Sequence, residues 1–162
     1  MSIEPWVLSL TSWYQHNKRT LPWRSNPTGY NVWISEMMLQ QTQVATVIPY
    51  FNRFIKRFPS IKSLASSSED DVLKLWEGLG YYSRARNLHK ASKLLLELPD
   101  FPESYEGLQE LPGIGPYAAA AITSIAFNNP VPVVDGNVLR VFTRFWGIYD
   151  DIRQPQVAQC FF

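Results

Sequence analysis

The fold of this chain is decided by the stretch Leu111-Pro-Gly-Ile-Gly-Pro-Tyr-Ala-Ala-Ala-Ala-Ile122. Gly113 and Gly115 leave the backbone free to take positive φ, which predicts a tight turn. Pro116 suits the first turn of a helix, and the alanines that follow it favour helix strongly. Because a helix start points unpaired N–H groups outward, this turn can bind phosphate. The stretch alone leaves two interpretations open, an ordinary helix start and a phosphate-binding hairpin.

A single acidic residue downstream favours more than phosphate binding. Asp135 lies twenty residues after Gly115, in the run Val133-Val-Asp135-Gly-Asn137-Val, and a further helical pattern follows it. An Asp at such a place commonly acts as a helix N-cap. A helix N-terminus also stabilises a carboxylate, which suits a group that faces a developing cation. The capping role and the chemical role are compatible, and both stay open.

Length and composition limit the classes of protein that the chain can belong to. The 162 residues suit one domain, or one compact domain with part of another, and 46% of them are apolar. The net charge of +1 means that any basic face must be local. One cysteine, Cys160, allows neither an internal disulfide nor a multi-cysteine metal site. No membrane-length apolar run or secretory signal is present, so we expect a soluble, cytoplasmic protein.

Apolar residues recur at helical spacing along nearly the whole chain, which predicts an all-α protein. Helices are predicted around 6–14, from Asn31, from a cap at Thr42 to Phe58, from Ser67 or Ser68 to Gly78, over 81–98, over 104–108, after Pro116 and after Asp135. Pro49 should bend or interrupt the third of these helices. The segment 21–29 is predicted to be an irregular connector. The segment 131–134 has an extended pattern, but no other stretch offers it a strand partner.

Four motifs resemble those of adenine DNA glycosylases of the helix-hairpin-helix superfamily. They are Tyr30-Asn-Val-Trp-Ile-Ser-Glu36-Met-Met-Leu-Gln-Gln-Thr-Gln-Val44, Gly78-Leu-Gly-Tyr-Tyr-Ser-Arg-Ala-Arg-Asn-Leu-His89, Leu111-Pro-Gly-Ile-Gly115 and Val134-Asp-Gly-Asn-Val138. The likeness extends from about Trp13 to about Gln156. The hairpin with its distant Asp identifies only the superfamily, whereas the run from Glu36 is specific to the adenine-removing branch.

The resemblance implies an all-α fold of two lobes with the active cleft between them. It assigns residues 1–22 to the N-terminal helix of the second lobe, 23–131 to a complete six-helix barrel lobe with the hairpin, and 132–162 to a return helix that carries the catalytic Asp. Full-length members carry a [4Fe-4S] cluster on four cysteines and a further domain that recognises the damaged guanine. This sequence stops at residue 162 with neither, so we expect an incomplete second lobe, no cofactor and no metal site.

Two carboxyls carry the expected chemistry. Glu36 stands among apolar neighbours, and burial there would raise its pKa and let it hold a proton near neutrality. An exposed glutamate on an amphipathic face is the alternative. The resemblance implies that the residue matching Glu36 protonates the adenine, and that the residue matching Asp135 stabilises, or briefly bonds to, the sugar cation. It also places Asn137, in the same motif as Asp135, among the catalytic residues.

Tyr117 distinguishes two branches of the superfamily. Relatives that also cut the DNA strand carry a lysine at this hairpin position, because a Schiff base with the sugar needs an amine. Tyrosine cannot form one, so the chain resembles the monofunctional branch, with the Tyr117 hydroxyl near the sugar. A core aromatic packed under the hairpin is the alternative.

The resemblance also implies how DNA is held. An enzyme that acts on a base in duplex DNA must extrude it, and Gln41 and Tyr81 match the positions that wedge into the stack. Trp23 and Arg24 match the base pocket. The alternatives are a core role for Trp23 and a solvated helix face for Gln41. Gly113 and Gly115 belong to the phosphate-binding hairpin.

Three cations in the 81–98 helix are further candidates for DNA contact. Arg84, Arg86 and Lys90 are predicted on its outer face, where they would touch phosphates. A charge run is also commonly just a solvated face.

These observations predict a monofunctional glycosylase that removes adenine mispaired with 8-oxoguanine or guanine from double-stranded DNA, monomeric in its full-length form. An oxidised-pyrimidine glycosylase of the same fold is one alternative, and Tyr117 with Gln40 and Gln41 argues against it. A non-catalytic helix-hairpin-helix module is the other, and the presence of both Glu36 and Asp135 argues against that.

Overall fold

Helices α1 to α10 account for all the regular structure in the part of the chain described by the computed structural model, residues 4–152 and 154. In chain order they are α1 (Pro5–Asn17), α2 (Pro22–Ser25), α3 (Gly29–Leu39), α4 (Val44–Arg57), α5 (Ile61–Ala65), α6 (Glu69–Trp76), α7 (Ser83–Leu95), α8 (Tyr105–Gln109), α9 (Pro116–Phe127) and α10 (Gly136–Phe145). The predicted all-α class is confirmed over these residues. Cys160 and the rest of the predicted final segment after residue 154 lie outside them.

Two short helices depart from the sequence-based prediction. The segment predicted as an irregular connector contains α2, which Pro22 starts at its first position. Helix α5 was not predicted, because its five residues are too few for a periodic pattern. Ser60 caps α5, and the Ser63 hydroxyl oxygen in turn accepts a hydrogen bond from the Ser60 backbone N–H.

Helix α4 differs from prediction at its start and around its proline. Thr42 does not cap it, because Gln43 occupies the N-cap position while the Thr42 hydroxyl contacts the Gln40 carbonyl and Arg84. Pro49 lies inside α4 without ending it. Its ring is exposed, so the missing N–H costs one hydrogen bond and no core packing.

The hydrophobic core is built around α3. Seven of its eleven residues are buried, and α2, α4, α7 and α9 pack against it. The largest fully buried side chains are the rings of Trp33, Trp76, Phe54 and Phe58. The core cluster runs from Leu21 to Ile122. Any polar residue that α3 carries is therefore drawn partly out of water.

Helices α1 and α10 lie outside this core. No residue of α1 is buried, and Thr143 is the buried residue of α10. Trp6 packs on the rings of Phe142, Phe145 and Trp146, with centroid separations of 5.9, 5.4 and 6.4 Å. The two helices thus meet through aromatic contacts at the surface. None of the helices in the described residues is both long enough and apolar enough to cross a membrane.

Candidate active site

The predicted hairpin is formed by α8, the turn after it and α9. Gly113 has φ +82°, and a Cβ there would come within 2.8 Å of Asn87 Cβ and 3.0 Å of Met37 Cε. Both the backbone angle and the lack of space therefore require glycine. Gly115 does not use its freedom to take positive φ, because it is the N-cap of α9 and takes the extended conformation with φ −86°. Nothing lies within 4 Å of where its Cβ would be, so its backbone stays approachable.

Glu36 is half-buried on α3. Burial raises the pKa of its carboxyl to about 7, and the nearby Arg24 guanidinium partly opposes that rise. The alternative of a solvated, exposed glutamate is wrong. Glu36 therefore holds a proton on a large fraction of molecules at neutral pH.

A cavity and a cleft meet at Glu36. The cavity, about 220 Å³, is walled by Trp23, Glu36 and Tyr117 together with Arg19, Leu21, Arg24, Val32, Ser35, Leu39, Val44 and Ile125. The cleft, about 460 Å³, is lined by Glu36, Leu39, Gln40, Gln41, Tyr117 and Asp135. Glu36, Leu39 and Tyr117 line both spaces, so the cleft and the cavity lie side by side.

Trp23 and Arg24 form one side of the cavity. Trp23 is 5% exposed and packs edge-to-face on Phe51, with a centroid separation of 5.3 Å. It is thus both a core residue and a wall of the cavity. The exposed Arg24 lies 5.9 Å from the Tyr14 ring centroid, and its Nη1 donates to the Arg19 carbonyl at 3.4 Å.

Asp135 is the N-cap of α10, as predicted. Its Oδ1 accepts hydrogen bonds from the backbone N–H groups of Asn137 and Val138 at 2.9 and 2.8 Å. Its Oδ2 accepts from Asn137 Nδ2 at 3.0 Å, and the Asn137 amide oxygen accepts from Arg140 at 3.0 Å. N–H donors at a helix N-terminus favour an anion. Asn137 therefore orients the Asp135 carboxylate.

Tyr117 lines the cleft together with Glu36 and Asp135. It is 44% exposed and lines both cleft and cavity, so the interpretation as a core aromatic is wrong. Burial raises the pKa of its hydroxyl, and the carboxyls of Glu36 and Asp135 raise it further. The hydroxyl is therefore protonated at neutral pH and can donate a hydrogen bond.

Gln41 and Tyr81 both have left-handed backbones. Their φ values are +56° and +48°, which side chains with a Cβ seldom adopt. Gln41 is exposed at the rim of the cleft, and Tyr81 is 62% exposed. Both are thus displayed by strained turns, a feature common at functional sites.

Arg84 is not on the outer face of α7, and that part of the prediction was wrong. It is 7% exposed, and its guanidinium donates to backbone carbonyls of two turns. Arg86 and Lys90 are exposed, and Arg86 Nε lies 3.4 Å from a Glu69 carboxyl oxygen. Arg86 and Lys90 are therefore open to solvent, whereas Arg84 is not.

Sequence reasoning missed Arg19 and Leu39 as residues of the cavity wall. Arg19 ends the basic turn after α1, and nothing in that pattern indicates which way its side chain points. Among the described residues, no three His, Cys, Asp or Glu side chains are grouped to hold a metal. One cysteine in 162 residues cannot supply the four thiolates of an iron–sulfur cluster, so no step is assigned to such a group.

Comparison with known proteins gives a family match over most of the chain. The model of the HhH-GPD superfamily of base excision DNA repair proteins matches residues 34–161. Adenine DNA glycosylase of Buchnera aphidicola subsp. Baizongia pistaciae is 50% identical over 143 residues, 86% of this chain and 41% of that protein. The mouse and human adenine DNA glycosylases are 51% and 48% identical, over 88% and 93% of this chain and 30% of each protein.

Solved structures agree with the fold. A thermostable thymine-DNA glycosylase superposes with a TM-score of 0.85 at 21% identity, covering 96% of this chain and 74% of the other. Endonuclease III in a non-covalent DNA complex gives 0.76 at 19% identity, covering 100% of this chain and 79% of the other. The predicted helix-hairpin-helix glycosylase fold is confirmed.

Proposed function

The chain belongs to the HhH-GPD superfamily of base excision DNA repair proteins, and we propose that it removes adenine from mispairs in DNA. Its three relatives described above are named adenine DNA glycosylases, and it spans between 30% and 41% of their length. The reaction is hydrolysis of the N-glycosidic bond, which yields free adenine and an abasic site. We propose double-stranded DNA inside the cell as the substrate, with adenine opposite 8-oxoguanine or guanine.

One observation carries this proposal: Glu36, whose pKa burial raises to about 7, and Asp135, whose carboxylate accepts three N–H hydrogen bonds, line one cleft beside a second cavity. Glu36, with its pKa near 7, donates a proton to a ring nitrogen of the adenine. The protonated base departs with the bonding electrons, which leaves positive charge on the sugar. The Asp135 carboxylate, held by Asn137 and the N-terminus of α10, stabilises that charge until water adds to the sugar carbon.

The other site residues take supporting roles. Trp23 stacks on the extruded base in the cavity, and Arg24 fixes its edge. Gln41 and Tyr81 enter the space that the base leaves in the duplex. The hairpin at Gly113 and Gly115, with Arg86 and Lys90, holds the phosphates.

We further propose that base removal is not followed by strand cleavage. A Schiff base with the sugar requires an amine, and the hairpin presents the Tyr117 hydroxyl to the cleft. The hydroxyl, which lines the cleft with Glu36 and Asp135 and stays protonated, does not attack the sugar.

A panel of duplexes with one altered base each tests the proposal. With the chain in excess, we expect adenine release opposite 8-oxoguanine or guanine, intact strands, and no adduct trapped by borohydride. Release of an oxidised pyrimidine would favour the alternative enzyme. Equal binding to all duplexes without release would favour a non-catalytic module.

A further inference from the structure

Gln41 and Tyr81, the two residues proposed to enter the base stack, depend on a shared support. They are forty residues apart in sequence, yet each lies in a turn with left-handed backbone, φ +56° and +48°. A residue with a Cβ stays in that conformation only when its surroundings hold it there. The structure must therefore contain groups that hold each turn.

The side chain of Arg84 contacts both turns. Its Nη1 donates to the carbonyl oxygens at the end of α3, those of Met37, Met38 and Gln40, at 2.9, 2.9 and 2.6 Å. Its Nη2 donates to the carbonyls of Leu79 and Gly80 at 3.3 and 3.2 Å, directly before Tyr81, and to Thr42 Oγ1 at 3.3 Å. A single guanidinium thus donates hydrogen bonds to the carbonyls of the residues directly before Gln41 and directly before Tyr81.

Aromatic rings fix that guanidinium in place. Its carbon lies 5.4 Å from the Trp76 ring centroid and 5.5 Å from the Tyr81 ring centroid. The Trp76 indole N–H also donates to the Gly80 carbonyl at 3.2 Å. Because a lysine ammonium has one nitrogen and no planar fork, it cannot reproduce the bonds that Nη1 and Nη2 make separately to the two turns.

We propose that Arg84 is a positioning residue that sets the separation of Gln41 and Tyr81, so that both side chains enter the base stack together. This inference rests on the proposed function of the two residues. Arg84 also bonds the C-terminal end of the helix that carries Glu36, since one of its acceptors, the Met37 carbonyl, belongs to the residue after Glu36. The same guanidinium thereby links the positions of Gln41 and Tyr81, which extrude the base, to the position of Glu36, the proposed acid.

The first test needs no DNA and no activity. In Arg84→Lys we expect the backbone ¹³C shifts of both Gln41 and Tyr81, which report φ, to move towards averaged values. Lys93→Gln, an exposed charge change on the same helix, is the control and should leave both unchanged. Unmoved shifts in Arg84→Lys would overturn the inference whatever the protein does to DNA.

The second test uses duplexes in which 2-aminopurine, a fluorescent adenine analogue, stands opposite guanine. We expect Arg84→Lys to lower the extrusion equilibrium roughly 10- to 100-fold, the range for hydrogen bonds lost from a charged donor. Its affinity for a fully matched duplex should stay within about twofold, because distant phosphate contacts remain. Equal loss on both duplexes would show general destabilisation and overturn the inference, whereas no fluorescence response from the unaltered chain would contradict the proposed function itself.

A third measurement on the unaltered chain covers the case in which Arg84→Lys does not fold. The Nη–H groups of Arg84 should exchange slowly with water both with and without DNA, because they donate to buried backbone carbonyls. The side-chain signals of Arg86, which is exposed, should exchange fast in the absence of DNA. Fast exchange of the Arg84 Nη–H groups would show that they are not bonded to the two turns and would overturn the inference.

Discussion

The two carboxyls of the cleft come from regions that differ in almost every physical respect. Glu36 lies on α3, the most buried helix, where loss of water raises its pKa to about 7. Asp135 caps α10, a helix with one buried residue, and three N–H donors bind its carboxylate. A carboxyl group is thus suited to donate a proton where the core buries it, and to remain an anion where the N–H groups of a helix N-terminus bind it.

Substitution of Glu36, the buried carboxyl, should have the largest effect on the rate of base release. Glu36→Gln keeps the shape but holds no transferable proton, so base release should fall by at least ~10²–10⁴-fold, the range for general acid catalysis. Affinity for the mispaired duplex should stay nearly unchanged. Single-turnover base release with a parallel binding titration measures both. A near-normal rate would mean that the buried acid does not protonate the base.

Two substitutions of Asp135 separate the effect of its charge on the rate from its role as the helix N-cap. Asp135→Asn retains the helix cap and loses the charge, so release should fall by about 10²–10³-fold while stability changes little. Asp135→Ala should lose the rate and also about 1 kcal/mol of unfolding free energy, the usual cost of a lost cap. Kinetics and urea unfolding of the two variants make the test. If Asn kept the full rate, the contribution of Asp135 would be the cap alone.

The pH dependence of base release tests the role of the buried carboxyl, that of Glu36. Because Glu36 acts in its protonated form and its folded pKa lies at about 7, release should decline as pH rises through 7. Well above that value the decline should be about tenfold per pH unit. Single-turnover rates from pH 5.5 to 9, on the order of a dozen points, define the curve. Glu36→Gln serves as control, since its residual rate should not bend near pH 7.

Local signals explain why much of the fold was predictable. Ser68, Ser104 and Asp135 cap the helices that follow them, because an N-cap depends on residues within three positions. The hairpin was likewise predictable from adjacent residues. Gly115 shows the limit, since the residue type indicated freedom to take positive φ, whereas its observed φ follows from its place as an N-cap.

Contacts distant in sequence explain what was missed. Arg84 was predicted on the outer face because it is charged, although it lies one turn before the buried Leu88; its acceptors lie up to 47 residues away, at the end of α3. No periodicity within α7 reports such carbonyls. Glu36 was ambiguous for the same reason, because its neighbours in α3 do not show how α9 and α2 cover that helix. Contacts with helices distant in sequence therefore determine how far both Arg84 and Glu36 are buried.

The same contrast between core and edge extends to two tryptophans. Trp76 is fully buried and packs on Phe54 at a centroid separation of 6.2 Å, so Trp76→Ala should cost ~3–5 kcal/mol of unfolding free energy. Trp6 is half-buried against surface rings of α10, so Trp6→Ala should cost less than Trp76→Ala, about 1–3 kcal/mol from lost apolar burial and aromatic pairing together. Urea denaturation compares them. Equal costs would mean that α1 and α10 belong to the cooperative core.

The smallest effect on stability is expected at Trp13, whose ring is 60% exposed on α1. With Leu8 and Leu10 it adds apolar surface that water covers in a single chain, and such surface favours association. We therefore expect the 162-residue chain to self-associate as its concentration rises. Trp13→Ser should reduce that association while changing the unfolding free energy by less than about 0.5 kcal/mol. Sedimentation velocity over a concentration series and urea unfolding measure the two quantities. A chain that stays monomeric throughout, or a variant that unfolds far more easily, would show that this face of α1 is already packed in solution.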